Sequence, residues 1–268
     1  MRRPRRGEIG LREVTFSKAD FDAIPEDDRI FFFMAAQTAN ELAMLRAVII
    51  QSLDSAHGPK ALSETGLGLA FFFARILAGR VTEGWARLFS KKGKSDQFQS
   101  LWEKLPEEIR KDEMHADVAQ AREDLAEYFA QEAPLLKRVR DKLAFHLDPP
   151  AIVGAFQLLP TDFQLTDFHT GRRGSTFYGG ADTIMALAAS HLIGSQSPSE
   201  GMNNVIKDAN RLGGQLETVI DAYLVAFVVH YFGITRLQVD EQLLRFMPEG
   251  TRTRVRFYFD DTAFRRDS

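Results

Sequence analysis

Residues Lys137 to Pro150 carry the side chains best suited to chemistry in this chain, and they read KRVRDKLAFHLDPP. Histidine exchanges a proton near neutral pH, so His146 suits general acid or base catalysis. Arginine stabilises negative charge on oxygen atoms through paired hydrogen bonds. Arg140, Asp141 and His146 are therefore the candidate catalytic residues, with Asp141 able to orient one of the other two.

The spacing of Arg140 and His146 limits what a single helix can do with them. Six residues correspond to about 9 Å along an α-helix and to roughly 120° around it. Either the helix is interrupted in this segment, or the site is composite, with two copies meeting across a two-fold axis. A structural interpretation also stays open, because basic residues near the carboxyl end of a helix complement its dipole.

The spacing of apolar residues predicts the helices that must position this segment. We expect a mainly α fold, with one break where Pro134 interrupts the fourth helix. The predicted helices run from Pro25 or Glu26 to Ser55, from Ser63 to Trp85 or Phe89, from Gln97 to Leu105, from about His115 to Leu147, from Ala181 (capped by Asp182 or Thr183) to Ile193, and from Glu200 or Gly201 to Gly233. Thr251 to Asp260 alternates in polarity and predicts a short strand or an extended arm.

Composition excludes several classes of site. The chain has 268 residues, a net charge of −3 and no cysteine, which excludes disulfides, thiolate metal sites and a cysteine nucleophile. No nucleotide-binding or metalloprotease motif is present, and we expect no metal and no cofactor.

We divide the chain into an arm and lead-in (1–24), a helical core (25–157) and a helical extension (158–268) that packs on the core.

Two apolar stretches raise the question of a membrane. Gly66 to Ala74 and Ala222 to Phe232 are each roughly half the ~20 residues that span a bilayer, and the basic N-terminus is not followed by the apolar run of a signal peptide. We therefore expect a cytoplasmic protein without a membrane partner. Phenylalanine is abundant (22 residues) and occurs in runs, which predicts helices covered on two faces.

The segment from Arg140 to His146 matches the Arg-x4–6-His motif of the HEPN superfamily, in which the residue after the arginine is commonly Asn, Asp or His. The long first helix, the glycine-rich second helix and the closing His-Leu-Asp-Pro resemble the abortive-infection HEPN proteins of the AbiU type. The resemblance covers roughly residues 27–156. It implies a HEPN-like helical bundle with extra C-terminal helices.

The resemblance also implies a function. Such proteins are metal-independent endoribonucleases, acting as toxins or in phage defence, and work as homodimers with the two motifs facing each other. The RNA 2′-hydroxyl would attack the adjacent phosphate, with His146 moving the proton and Arg140 stabilising the charge. Lys137, Arg138 and Lys142 would hold the RNA backbone electrostatically, and tRNA is a possible substrate.

The chain departs from the family pattern at one position, and two other classes of function are kept as alternatives. HEPN partners of nucleotidyltransferase antitoxins often carry a tyrosine two residues after the histidine, where this chain has Asp148, so that mode of control is not expected. An antitoxin or regulatory protein of another kind is a possible partner. The alternative functions are a non-catalytic helical module that binds RNA or a protein, and a small-molecule-binding protein built on the phenylalanine-rich helices.

Overall fold

The computed structural model describes residues 8–12, 14–55, 60–89, 95–107, 112–144, 148–169, 176–194, 197–233 and 241–245. Its elements in chain order are β1 Glu8–Arg12, α1 Lys18–Asp22, α2 Glu26–Ser55, α3 Lys60–Phe89, α4 Ser95–Glu103, α5 Asp112–Ala130, α6 Leu135–Val139, a π-helix Arg140–Ala144, α7 Pro149–Gln157, β2 Phe168–His169, β3 Thr176–Phe177, α8 Gly179–Leu192, α9 Pro198–Phe232 and β4 Glu241–Arg245. The predicted mainly α fold is confirmed.

α2 and α3 pack against each other along their thirty-residue lengths. Three acidic residues in the first turn of α2 face the positive end of its dipole. In its first turn, the N–H groups of Asp28 and Arg29 donate to the Pro25 carbonyl at 3.1 and 3.0 Å. The predicted bounds of α2 are confirmed, whereas α3 begins at Lys60, three residues before the predicted start.

α9 is the central helix, since it packs against α2, α3, α4, α5 and α8. Its buried side chains recur at helical spacing and include Leu212, Leu216, Val219, Tyr223 and Phe227. They belong to the same hydrophobic cluster as the buried residues of α2 and α3. The helix ends at Gly233, as predicted, where φ is 78° and a side chain would be strained.

The phenylalanine runs divide between core and surface. Phe31 is buried and stacks on Phe98, with ring centroids 4.3 Å apart, while Phe33 is half exposed. In α3, Phe71 is buried and its neighbour Phe72 is exposed. The expectation that these helices are covered on two faces is therefore met only in part within one copy of the chain.

Within the described residues, two helices are long and apolar enough to cross a membrane by length and composition, Ser63–Phe89 and Pro198–Phe232. Each of these helices extends beyond the uninterrupted apolar stretch within it, Gly66–Ala74 or Ala222–Phe232. Most of the apolar window in the first helix, and just over half in the second, is buried inside the fold.

The strands in the described part of the chain form two small antiparallel pairs. β1 pairs with β4, with Glu8 opposite Arg245, and β2 pairs with β3, with Phe168 opposite Phe177. The predicted basic arm at residues 1–6 and the predicted strand at Thr251–Asp260 lie outside the described residues. The proposed boundary at residue 157 stays a prediction.

Candidate functional site

Pro134 separates the candidate segment from the preceding helix, as the sequence predicted. α5 ends at Ala130, and α6 begins just after Pro134, which has extended backbone angles (φ −62°, ψ 143°). The N–H of Leu136 donates to the hydroxyl of Tyr128 at 3.0 Å, which satisfies one free donor of the new helix. Leu136 and Val139 are fully buried, so α6 anchors the segment in the core.

The motif itself begins in a π-helix, Arg140–Ala144. π-Helical turns are rare and frequently occur at functional sites. The carbonyl of Lys142 accepts from the N–H of Asp148 at 3.0 Å, and the carbonyl of Leu143 accepts from Nη1 of Arg75 at 3.0 Å. The α-helix therefore gives way to a π-helical turn at Arg140, so the spacing of an ideal α-helix does not hold from there on. The end of the motif lies outside the described residues, and both arrangements that the spacing left open stay predictions.

The charged residues of the segment lie at the surface in pairs of opposite sign. Arg140 is half exposed, and its Nε lies 3.5 Å from Oδ1 of the exposed Asp141. Nζ of Lys142 lies 3.2 Å from Oδ2 of Asp148, and Lys137 is exposed one turn earlier. The structure thus brings Arg140 and Asp141 together, with two lysines on the same stretch of chain.

One further candidate residue, Arg138, points away from this group. The half-buried Arg138 donates to the carbonyl of Leu192 at the end of α8, so its guanidinium is directed into the fold. His146 lies outside the described residues, as do its neighbours at 145 and 147.

Beyond the motif, the chain presents an exposed apolar surface. α7 begins at Pro149, so the proline pair that ends the motif also starts the next helix. Where exposed apolar side chains lie next to one another, they often mark a contact with another molecule. The exposed side chains on α7 and the following loop are Val153, Phe156, Leu158, Phe163 and Leu165.

A polar cleft of about 600 Å³ lies between α2, α5 and α9. Arg46 and Glu217 form an ion pair across it. Burial of the Asp221 carboxyl, together with the charge of Glu217, raises the pKa of Asp221 to about 6, although the residue as a whole remains exposed. The positive and negative side chains that line the cleft largely neutralise each other's charge.

A smaller apolar pocket of about 230 Å³ lies among α3, β3, α8 and the start of α9. The carboxyl of Asp182 is in its wall, and burial raises the pKa of Asp182 while the charge of Arg75 lowers it. Arg75 itself is buried, with its guanidinium carbon 5.1 Å from the centroid of the Phe71 ring. Burial lowers the pKa of Arg75, although it stays charged.

Sequence reasoning missed both Arg75 and Asp182. The signal for Arg75 was present, because an arginine directly after an apolar run inside a core helix must find a buried partner. Asp182 was assigned as a helix cap, but α8 begins three residues earlier with Tyr178 in the cap position. No sequence pattern indicated that the two charges interact.

No group of three or more potential metal-binding side chains occurs in the described part of the chain. Comparisons with protein families, with curated proteins and with solved structures find no match to this chain.

Proposed function

We propose that the chain is a metal-independent endoribonuclease of the HEPN type, acting in phage defence or as a toxin. The observation that carries the proposal is the π-helix at Arg140–Ala144, which holds Arg140 and Asp141 at the surface on a base of buried side chains. A catalytic group needs such a base to keep its position during the reaction.

The reaction needs only the RNA and side chains of this protein. The 2′-hydroxyl loses a proton and attacks the adjacent phosphorus, the bond to the 5′ oxygen breaks, and that oxygen gains a proton. The products are a 2′,3′-cyclic phosphate and a 5′-hydroxyl. We assign the proton transfers to His146 and stabilisation of the phosphate charge to Arg140, with Asp141 orienting the guanidinium at 3.5 Å.

A second copy of the chain completes the proposed site. In a two-fold dimer the same surface faces itself, so each copy contributes one motif to a shared cleft. The exposed apolar side chains on α7, directly after the motif, supply a surface that a second copy would cover. Lys137 and Lys142 would hold the RNA backbone beside the cleft.

Cleavage of tRNA or total RNA in excess EDTA tests the proposal. Wild-type protein should give fragments with 2′,3′-cyclic phosphate ends, and Arg140→Ala should lower the rate at least ~100-fold. Arg87→Ala is the matched control, because Arg87 is an exposed arginine on α3 that lies far from the motif. It is twelve residues, or about 18 Å along the helix, beyond Arg75, the α3 residue that bonds to the π-helix. A strict requirement for added divalent metal, or equal rates for the arginine variants, would contradict the proposal.

A non-catalytic module that binds RNA or protein remains the second candidate. It is favoured by the ion pairs of Arg140 with Asp141 and of Lys142 with Asp148, which already neutralise these cations within the chain. Saturable RNA binding, with intact RNA recovered after long incubation, would support it. Growth separates the two as well, because only the nuclease should slow growth in a way that Arg140→Ala or His146→Ala relieves.

A further inference from the structure

The apolar pocket has no role in the proposed ribonuclease reaction, and its size suits a small molecule. Its volume is about 230 Å³, and its apolar walls include Leu67, Phe71, Phe177 and Met202. An apolar cavity of about 150 Å³ admits benzene, so by the same ratio this one fits roughly nine or ten non-hydrogen atoms. The pocket is partly open to solvent and has room for a ligand of that size.

The charges in the pocket wall are all negative. Two carboxyl groups, those of Glu64 and Asp182, line it, and its described lining contains no lysine, arginine or histidine. Glu64 is half exposed and pairs with Lys60 at 3.6 Å. Asp182 makes no ion pair within the described residues, and the charge of Arg75 compensates it only in part.

The Asp182 carboxyl is placed where it needs a hydrogen-bond donor. Within the described residues no donor bonds to its oxygens, and Arg75 acts on it only through its charge. Gly68 makes room for it, since a Cβ at that position would overlap Oδ2 of Asp182 and lie 2.8 Å from Cζ of Phe177. A half-buried carboxyl without a donor is costly, and a bound donor removes that cost.

Two helices begin at the pocket, so an anion must be considered as the alternative ligand. The first turn of α8 already donates to Oδ1 of Asp167 and to the carbonyl of Tyr178. The first turn of α9 donates to the carbonyl of Ser197. An anion would meet two carboxyl groups and backbone donors that are already engaged, so the pocket favours a cation.

We propose that this pocket binds a small primary amine whose ammonium group contacts the carboxylate of Asp182 and whose aromatic or aliphatic body packs against Phe71 and Phe177. Charge-assisted hydrogen bonds from the ammonium group replace the missing donor. The proposal does not depend on ribonuclease activity.

Isothermal titration calorimetry with two probes of the same shape tests the proposal on the full chain near pH 7.5. 2-Phenylethylamine should bind with a Kd at least ~10-fold lower than that of 2-phenylethanol. Asp182→Asn should abolish this preference, whereas Asp162→Asn, which removes an exposed carboxyl outside the pocket, should keep it. Equal binding of amine and alcohol, or an amine preference that survives Asp182→Asn, would overturn the proposal.

Methyl NMR of the wild-type protein gives a reading that does not depend on any variant folding. With ¹³C-methyl methionine, the amine should shift the Met202 signal and leave that of Met44 unchanged, because Met44 is exposed on α2. Substitution to leucine assigns each signal. A wild-type protein whose Met202 signal does not move at millimolar amine does not bind it in this pocket, and the proposal fails.

Discussion

In the candidate segment, Arg140, Asp141 and Lys142 lie at the surface, each beside a charge of opposite sign, whereas the apolar pocket keeps the Asp182 carboxyl among aromatic and aliphatic walls. Exposed pairs of this kind contribute little to stability and exchange partners easily. A recessed carboxyl is costly until something binds it. This difference corresponds to the two ligands proposed above, a large polyanion at the segment and a small cation in the pocket.

Arg75 connects the two regions. Its Nη1 donates to the Leu143 carbonyl in the π-helix, and its charge acts on Asp182. One buried guanidinium thus supports the base of the surface motif and partly compensates the carboxyl of the pocket. Substitutions of Arg75 and of residues in both regions test this difference. We expect the free energy of unfolding to change most for buried residues and least for exposed ones.

Arg75→Met should lower the free energy of unfolding by about 2–4 kcal/mol, because it leaves a buried carbonyl and a half-buried carboxyl without their compensating group. Urea denaturation measures this, with Arg87→Met as the exposed control, for which we expect a change within ~0.5 kcal/mol. Combining Arg75→Met with Asp182→Asn should recover at least about 1 kcal/mol. Strictly additive effects would show that the two charges do not interact.

Gly68→Ala should lower the free energy of unfolding by about 1–3 kcal/mol, since its Cβ overlaps the Asp182 carboxylate and the Phe177 ring. Gly154→Ala on α7 is the matched control, because a Cβ there meets nothing within 4 Å. That substitution should raise stability by up to ~1 kcal/mol through helix propensity. Thermal melts of both variants check the pair, and equal effects would contradict the described packing of the pocket.

Asp221→Asn tests a carboxyl whose neighbour is an acid rather than an arginine. The pKa of Asp221 is raised to about 6, so between about pH 4 and pH 6 the folded protein holds a proton that the unfolded chain has released. Stability should therefore fall as pH rises through that window, by about 1 kcal/mol after allowing for exposure. Urea denaturation across this range should show the fall in wild type and less of it in Asp221→Asn; parallel curves would refute the shift.

Arg140→Ala should change the free energy of unfolding by less than ~0.5 kcal/mol, because the side chain is half exposed and its ion pair with Asp141 is solvent-screened. The loss of RNA cleavage expected for this variant would then be a chemical effect and not unfolding. Circular-dichroism melts alongside the cleavage assay check this. A clearly lower melting temperature would assign the arginine a structural role.

The long helices could be predicted because their signals are local. Pro25 and the acidic turn after it start α2, Pro134 breaks the chain before α6, and Gly233 ends α9. The start of α8 could not be predicted, because it depends on a hydrogen bond that the N–H of Gly180 donates to Oδ1 of Asp167, thirteen residues earlier. A contact that depends on tertiary structure leaves no periodic pattern.

The candidate site divides in the same way. The motif from Arg140 to His146 could be identified by type and spacing, but not the π-helix that holds its first part, because that distortion is supported by Arg75 from α3. The apolar pocket could not be predicted either, because its walls come from elements that are distant in sequence. Gly68 and Asp182 are over one hundred residues apart and are joined only by folding.

Mixing two inactive variants tests the shared site most directly. In an equal mixture of Arg140→Ala and His146→Ala chains, half of the dimers are mixed and each retains one complete pair across the interface. The account predicts that chelator-resistant RNA cleavage returns to as much as about a quarter of the wild-type rate. If cleavage does not return although native mass spectrometry verifies mixed dimers, the account is contradicted. It is also contradicted if mixed dimers do not form.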